Sequence, residues 1–403
     1  MRQLASRCGT AAVLAVAALA ALTTAAGPAS GADDPTTWSA PLTPDGDDTN
    51  VRSDAGALRL DSLVGAPASV AVDRPEGTLL STVHRLTAPA QQIAIQLDDE
   101  TPAGSAVAVA VRGLTAGGSW TEWSPVDPRS PATLSAPVSA VQARTVLLSG
   151  PGGASPVVRS LRLTAQPGQA RSAGAGQSES RQVYATREGL VDRKTANGHV
   201  ILNRDHFVAL PSRRGLSSPG SGDYTVKVCA ANGRCEWAPV WDVGPWNTTD
   251  DYWNGPGDRE SWQDLPPGLP QAQAAYQNGY NNGRDQFGRR VANPSGIDLA
   301  DGMFWDGLGL RDNGWVTVTY LWNLDGLVGT VTSGMLNVRS GPGAEHPGVG
   351  LATHNAKVLV ECTVGGGGNL FSGAGRSPKW LRIGPNQFVS AAHVSLPASG
   401  RPC

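Results

Sequence analysis

The sequence predicts a mainly β protein built from several small pieces, and three observations carry that expectation. Charged residues make up only 16 % of the 403, while Gly numbers 50 and Pro 30. Long amphipathic helices need more Glu, Lys and Leu and fewer helix breakers than this. Short runs with an apolar residue at every second position recur along the chain, the period of a half-buried strand. Gly, Pro and Asp clusters, which favour turns, separate those runs.

At the start, Arg2 and Arg7 precede an apolar run over residues 11–22 and a small-residue stretch over 25–32. This is the pattern of a secretory signal peptide. Cleavage is expected after Ala26 or Ala32; residues 1–32 are preferred, with Ser30 at the −3 position. The apolar run is short for a bilayer and no later one approaches that length, so no membrane anchor is expected after signal removal. An exported, extracellular location makes disulfides the expected state of Cys229, Cys235, Cys362 and Cys403. Asn232-Gly233 favours a hairpin turn that would bring Cys229 to Cys235, leaving Cys362 to tie down the terminal Cys403.

Residues 36–166 read as a β-sandwich, with alternating runs such as Gln92 to Leu97, Val107 to Val111 and Val158 to Leu163. This part resembles, in composition, the N-terminal sandwich modules of secreted actinobacterial wall enzymes. Trp120 and Trp123 fall on one strand or its rim, either as core and cover or as platforms for sugar rings. Residues 167–182, rich in Gly, Ser, Gln and Ala, read as a flexible linker. Residues 183–322 hold eight of the twelve Trp and all six Tyr, which marks them as the informative piece. Strands are expected at Tyr224 to Cys229, Glu236 to Trp241 and Trp315 to Tyr320, and a short helix from Pro270 to Tyr280.

Residues 327–403 contain Leu336-Asn337-Val338-Arg339-Ser340-Gly341-Pro342-Gly343, a valine-rich strand around Val358 to Val364, and Trp380-Leu381-Arg382-Ile383. This string resembles a bacterial SH3-like domain. The resemblance implies a small five- to six-stranded barrel of a kind that often recognises wall peptides. It departs at Asn355-Ala356, where the family has a Gly, and in the run Gly365 to Gly368, expected as a hairpin.

The chemistry is narrowed by exclusion first. A net charge of −2 without a basic block gives no electrostatic footprint for nucleic acid. No nucleophile elbow, zinc-binding H-E-x-x-H or dinucleotide fingerprint is present, and the six His are scattered. Neither a cofactor nor a metal is expected. Two carboxylates stand out: Asp242 in Trp241-Asp242-Val243-Gly244-Pro245-Trp246-Asn247, and Asp298 in Gly296-Ile297-Asp298-Leu299. Singly, each reads as a turn or cap residue. Their order with Thr195-Ala196-Asn197-Gly198 upstream, Asn232-Gly233-Arg234 between and Leu308-Gly309 downstream resembles the double-psi β-barrel of rare lipoprotein A and expansins. Two departures are evident: Val243 replaces the family's Arg, and an insertion over residues 248–295 separates the acidic motifs.

The resemblance implies a groove lined by Asp242 and Asp298 that takes a wall polysaccharide or peptidoglycan. Asp242 is the expected general acid, made competent by apolar surroundings that raise a carboxyl pKa, with Asp298 as auxiliary. Thr195, Asn197, His206, Trp241, Trp246, Asn247 and Trp253 are the expected substrate contacts. Hydrolysis, lytic transglycosylation and non-hydrolytic loosening all remain open, as does pure carbohydrate binding by a structural secreted protein. The insertion is either a wall bearing sugar-stacking aromatics or a self-packed excursion, and the exposure of Trp253 and Trp262 separates the two.

Overall fold

Alternation and abundant turn residues produce what they should: 48 % of the described residues are strand and 9 % helix. The computed structural model describes residues 36–63, 74–167, 180–323, 326–365 and 379–403. The expected signal peptide, most of the linker and most of the Gly365 to Gly368 run lie outside these.

Nine antiparallel strands come first: β1 (Thr36–Ala40), β2 (Val51–Asp54), β3 (Ala57–Leu60), β4 (Glu76–Leu80), β5 (His84–Glu100), β6 (Ala106–Thr115), β7 (Ser124–Val126), β8 (Ala132–Leu148) and β9 (Val157–Gln166). Strands β5 and β8 are each 17 residues long, and their ladder breaks register where it bends. The early part of β8 therefore pairs with β5 while its end, Arg144 to Leu148, pairs with β4. The result is one hydrogen-bonded sheet folded over a single core that includes Leu58, Ile93, Val111, Leu134, Leu147 and Leu161.

The next six strands are β10 (Arg181–Arg187), β11 (Val208–Leu210), β12 (Thr225–Ala230), β13 (Cys235–Val243), β14 (Ser295–Leu299) and β15 (Gly314–Tyr320). They close into a barrel in the order β11-β14-β10-β15-β12-β13, sealed by the β11–β13 pair. Pairs β10–β14 and β11–β13 are parallel and the other four antiparallel. Val183, Ala185, Val208, Leu210, Val226, Val240, Ile297, Leu299 and Val318 fill the interior. A strand's period of two then turns Tyr184, Thr186, Ala209, Asp298 and Trp315 to the outer face.

Cys229 and Cys235 are cross-strand partners in the β12–β13 hairpin and form a disulfide. Of the Asn-Gly pair only Gly233 takes a left-handed φ, +85°. Asn232 works through its side chain, accepting from Arg234 N at 2.9 Å and donating to Leu308 O at 2.9 Å.

The insertion carries the helix α1 (Gln271–Asn278), which starts after Pro270 and ends on left-handed Gly279. Two of the insertion's aromatic residues, Tyr252 and Trp253, plug the barrel. They pack with Tyr320 and Trp322, ring centroids 5.2–6.3 Å apart. Asp250 anchors this excursion by pairing with buried Arg259 and accepting from Gln271 N.

The first sheet is locked onto the plugged end. Buried Glu122 accepts from Trp253 Nε1 at 2.7 Å, Trp322 Nε1 at 2.8 Å and Asn254 Nδ2 at 2.7 Å, and pairs with Arg214 at 3.2 Å. Trp123, 1 % exposed, lies between the guanidinium groups of Arg112 and Arg144 and donates to Leu216 O. Trp120 is half-buried beneath Arg112. One indole is core and the other cover, and neither is an open platform.

Eight further strands follow: β16 (Leu327–Val331), β17 (Met335–Arg339), β18 (Gly348–Thr353), β19 (Lys357–Val360), β20 (Cys362–Gly365), β21 (Lys379–Gly384), β22 (Gln387–Ser390) and β23 (Val394–Ser395). β18 pairs in parallel with β13, so the barrel sheet runs on into β17-β22-β21-β20, while β19-β16-β23 form a second small sheet. A Cβ at Gly350 would meet Cys235 O at 2.0 Å, which is why a glycine stands at this junction. Cys235 and Trp237 belong to the core of these last strands, with Val338, Val358, Leu381 and Val389. Asn355 takes φ +64°, a conformation Asn tolerates, and so occupies the turn where a Gly was expected. Cys362 and Cys403 form the second disulfide. Among the described residues no helix is long and apolar enough to cross a membrane.

Candidate active site: a row of carboxyls on the barrel

Strand register brings the two expected acids together. Ala209 of β11 pairs with Asp242 of β13 on one side and with Asp298 of β14 on the other, and Asp298 in turn pairs with Thr186 of β10. In-register partners share a face, so Asp242, Ala209, Asp298 and Thr186 form one row across four strands. The two Asp backbones are two strand spacings apart, about 10 Å.

Each carboxyl is held differently. Asp242 is buried, and its Oδ1 accepts from Ala196 N at 2.7 Å and from Val243 N at 2.8 Å. Half-buried Asp298 accepts from Thr186 Oγ1 and from Ser295 Oγ at 3.4 Å. A third acid, Glu188, follows directly on β10, its amide donating to Leu299 O at 2.9 Å. Its buried carboxyl oxygens receive no hydrogen bond, and among neighbouring charges that of Asp242 acts on it most strongly. The chain leaves it through left-handed residues, Gly189 at +66°, which glycine adopts freely, and Leu190 and Asp192 at +60° and +70°.

This crowding raises proton affinity. Burial pushes Glu188 well above the usual carboxylate range, reinforced by the charges of Asp242, Asp298 and Asp301. Burial also raises Asp242, against the opposing bonds from Val243 N and Ala196 N. Asp298 is pushed up to about 7 by burial and, more weakly, by the charge of Asp242, while the Thr186 bond opposes. Burial and mutual repulsion thus make Glu188 and Asp242 hold protons more tightly than exposed acids do. Such a row can deliver a proton at neutral pH.

The other expected contacts divide. Trp246 borders the row: its Nε1 donates to Asn293 Oδ1 at 3.1 Å, and the same oxygen accepts from Ser295 N at 3.1 Å. Half-buried Trp241 precedes Asp242, donates to Ser221 O and packs against His199 and Phe207. Thr195 and Asn197 are buried in a turn, Thr195 Oγ1 bonding Asn197 Oδ1 at 2.7 Å; they shape the loop that presents Ala196 N to Asp242. Three expectations need correction. Trp253, 8 % exposed, belongs to the barrel core, because its ring completes the aromatic plug and its indole N–H is taken by Glu122. Asn247 is fully buried and pins the insertion through Gln271 Oε1 and Gln286 N. His206 is bound at 2.8 Å to buried Glu236, a barrel-wall pairing separate from the row. Trp262 is half-buried edge-on against Tyr280, so the insertion is largely a packed excursion.

Glu188 went unread in the sequence because Arg187-Glu188-Gly189 carries no motif; the one available signal was an acid at the end of a strand running into a glycine turn. For a cation, Asp45, Asp47 and Asp48 offer carboxylate oxygens within 4.8 Å of one another, but amides of the same loop already bond to Asp45 and Asp48.

Fold and site together define a mainly β protein with a closed six-stranded mixed barrel that carries an acid row on its outer face. Residues 178–319, the barrel with its insertion, match a family described as "Domain of unknown function (DUF8814)". None of the curated proteins matches the chain.

Proposed function

We propose that this is an exported, cell-wall-associated protein whose barrel binds a wall glycan, with peptidoglycan the first candidate, and cleaves or remodels it through the acid row. The carrying observation is that Asp242 and Asp298 flank the same residue, Ala209, with the buried carboxyl of Glu188 beside Asp242. The mixed six-stranded barrel and the order of the acidic motifs favour the double-psi reading of this part, and the Leu336 to Gly343 string favours the SH3-like reading of the last. Both disulfides suit an oxidising compartment.

In this reading the row gives a proton to the leaving glycosidic oxygen as the C–O bond breaks. The electron-poor sugar carbon is then captured by water, which yields a reducing end, or by the C6 hydroxyl of the same muramic residue, which yields an anhydro product; in either case the proton of the attacking O–H returns to the row.

A second reading, glycan binding without cleavage, is favoured by one observation: Asp242 is 2 % exposed, and a general acid must reach the leaving oxygen. Purified protein incubated with peptidoglycan sacculi, scored for anhydromuropeptides and reducing ends, decides between them. Cleavage requires product from the native chain and its loss in Asp242→Asn and Glu188→Gln; sedimentation with sacculi but no product leaves binding alone.

A further inference from the structure

We propose that the outer face of β10 and β15 is a sugar-binding strip that leads a glycan chain onto the acid row, with Trp315 as its stacking platform. The inference rests on the glycan reading above and adds to it a subsite and a ligand class.

The strip follows from register. Tyr184 pairs with Trp315 and Gln182 with Thr317, while Val183, Val316 and Val318 between them fill the core. The outward positions are therefore Ser180, Gln182, Tyr184 and Thr186 on one side, and Thr319, Thr317 and Trp315 on the other. Ser180 Oγ and Thr319 Oγ1 lie 2.7 Å apart and close the far end. At the near end Thr186 bonds Asp298. From Ser180 to Thr186 a strand rises about 20 Å, room for several linked pyranose rings.

Two features select the ligand. Trp315 is 42 % exposed, yet it is set edge-on against half-buried Tyr184, with centroids 5.6 Å apart and planes at 84°. An indole so fixed offers a flat face without paying for its ordering, and the negative π face suits the C–H face of a sugar ring. The flanking groups are hydroxyls and an amide, donors and acceptors for sugar hydroxyls and N-acetyl groups. None of the outward residues is charged, and the guanidinium at the strip's end, Arg187, is already bonded by both oxygens of Asp301 at 2.8 and 3.0 Å. The structure thus points to an uncharged glycan backbone, not to an anionic wall polymer.

The test is titration calorimetry of the full chain with hexamers of β-1,4-linked N-acetylglucosamine and of glucose, beside sedimentation with sacculi. Trp315→Ala and Gln182→Ala, with near-ultraviolet circular dichroism matching the native chain, are expected to weaken binding about tenfold and severalfold, and Trp315→Phe to restore most of it. A folded Trp315→Ala that binds like the native chain overturns the strip; if sacculi are still cleaved in an Asp242-dependent way, the functional reading stands without it. A native chain that neither binds nor cleaves either hexamer or sacculi overturns both.

Discussion

Glu122 is the carboxylate that gathers the most hydrogen bonds where the first sheet meets the barrel, and its removal should be severe. Its Oε1 accepts from two indole N–H groups, those of Trp253 and Trp322, each about 8 % exposed. Its Oε2 side faces Asn254 Nδ2 and Arg214. Alanine leaves both indole donors buried without an acceptor, at about 1–3 kcal/mol each. Arg214 keeps Asp251 at 3.0 Å, so its charge is not stranded. The expected total is about 3–5 kcal/mol, within the range for breaking buried charged networks. Glutamine is diagnostic because it keeps an oxygen for the two indoles but turns an N–H toward Asn254 and Arg214. It should cost about half as much. Urea unfolding followed by tryptophan fluorescence reads both variants. An Ala cost under about 1 kcal/mol, or a Gln variant as damaged as the Ala one, would refute the claim that this carboxylate organises the junction.

Two further outcomes are expected. Asp298 has a folded pKa of about 7 against an ordinary 3.8, so the native state holds the extra proton between those values. Its contribution to stability is full below about pH 4 and is lost as pH rises through 7. Asp298→Asn should flatten that part of the urea-midpoint profile relative to the native chain, and a parallel profile would contradict the assignment. The disulfides should differ in weight because Cys362–Cys403 spans 41 residues and Cys229–Cys235 only 6. Loop-closure entropy gives about 4 and about 2 kcal/mol, and paired Cys→Ser variants compared by urea unfolding test that order.

What could be read in the sequence was local. Alternation located the strands, Pro270 marked the start of the helix, and Asn232-Gly233 announced the hairpin that joins Cys229 to Cys235. Asp242 and Asp298 were readable as a pair only through motif order. Their meeting is a matter of register across β11, which no periodicity reveals. Glu188 joins them because a glycine turn folds it back, a three-dimensional event with no pattern in one dimension. Trp253 and Asn247 misled for a related reason: an aromatic, polar insertion looks the same in sequence whether it walls a groove or plugs a barrel. Burial by Tyr320 and Trp322, far along the chain, decided the matter.

Strand β13 has two owners. One edge pairs with β12; along the other, Val240 to Val243 close the ring against β11 while Cys235 to Trp237 receive β18, and the later strands share the core in which Cys235 and Trp237 lie. A chain trimmed behind residue 323 would bare that edge and a tryptophan with it, inviting pairing with stray strands. The tail is therefore no exchangeable attachment: exchanging it for a foreign module would uncover part of a strand that the barrel itself uses.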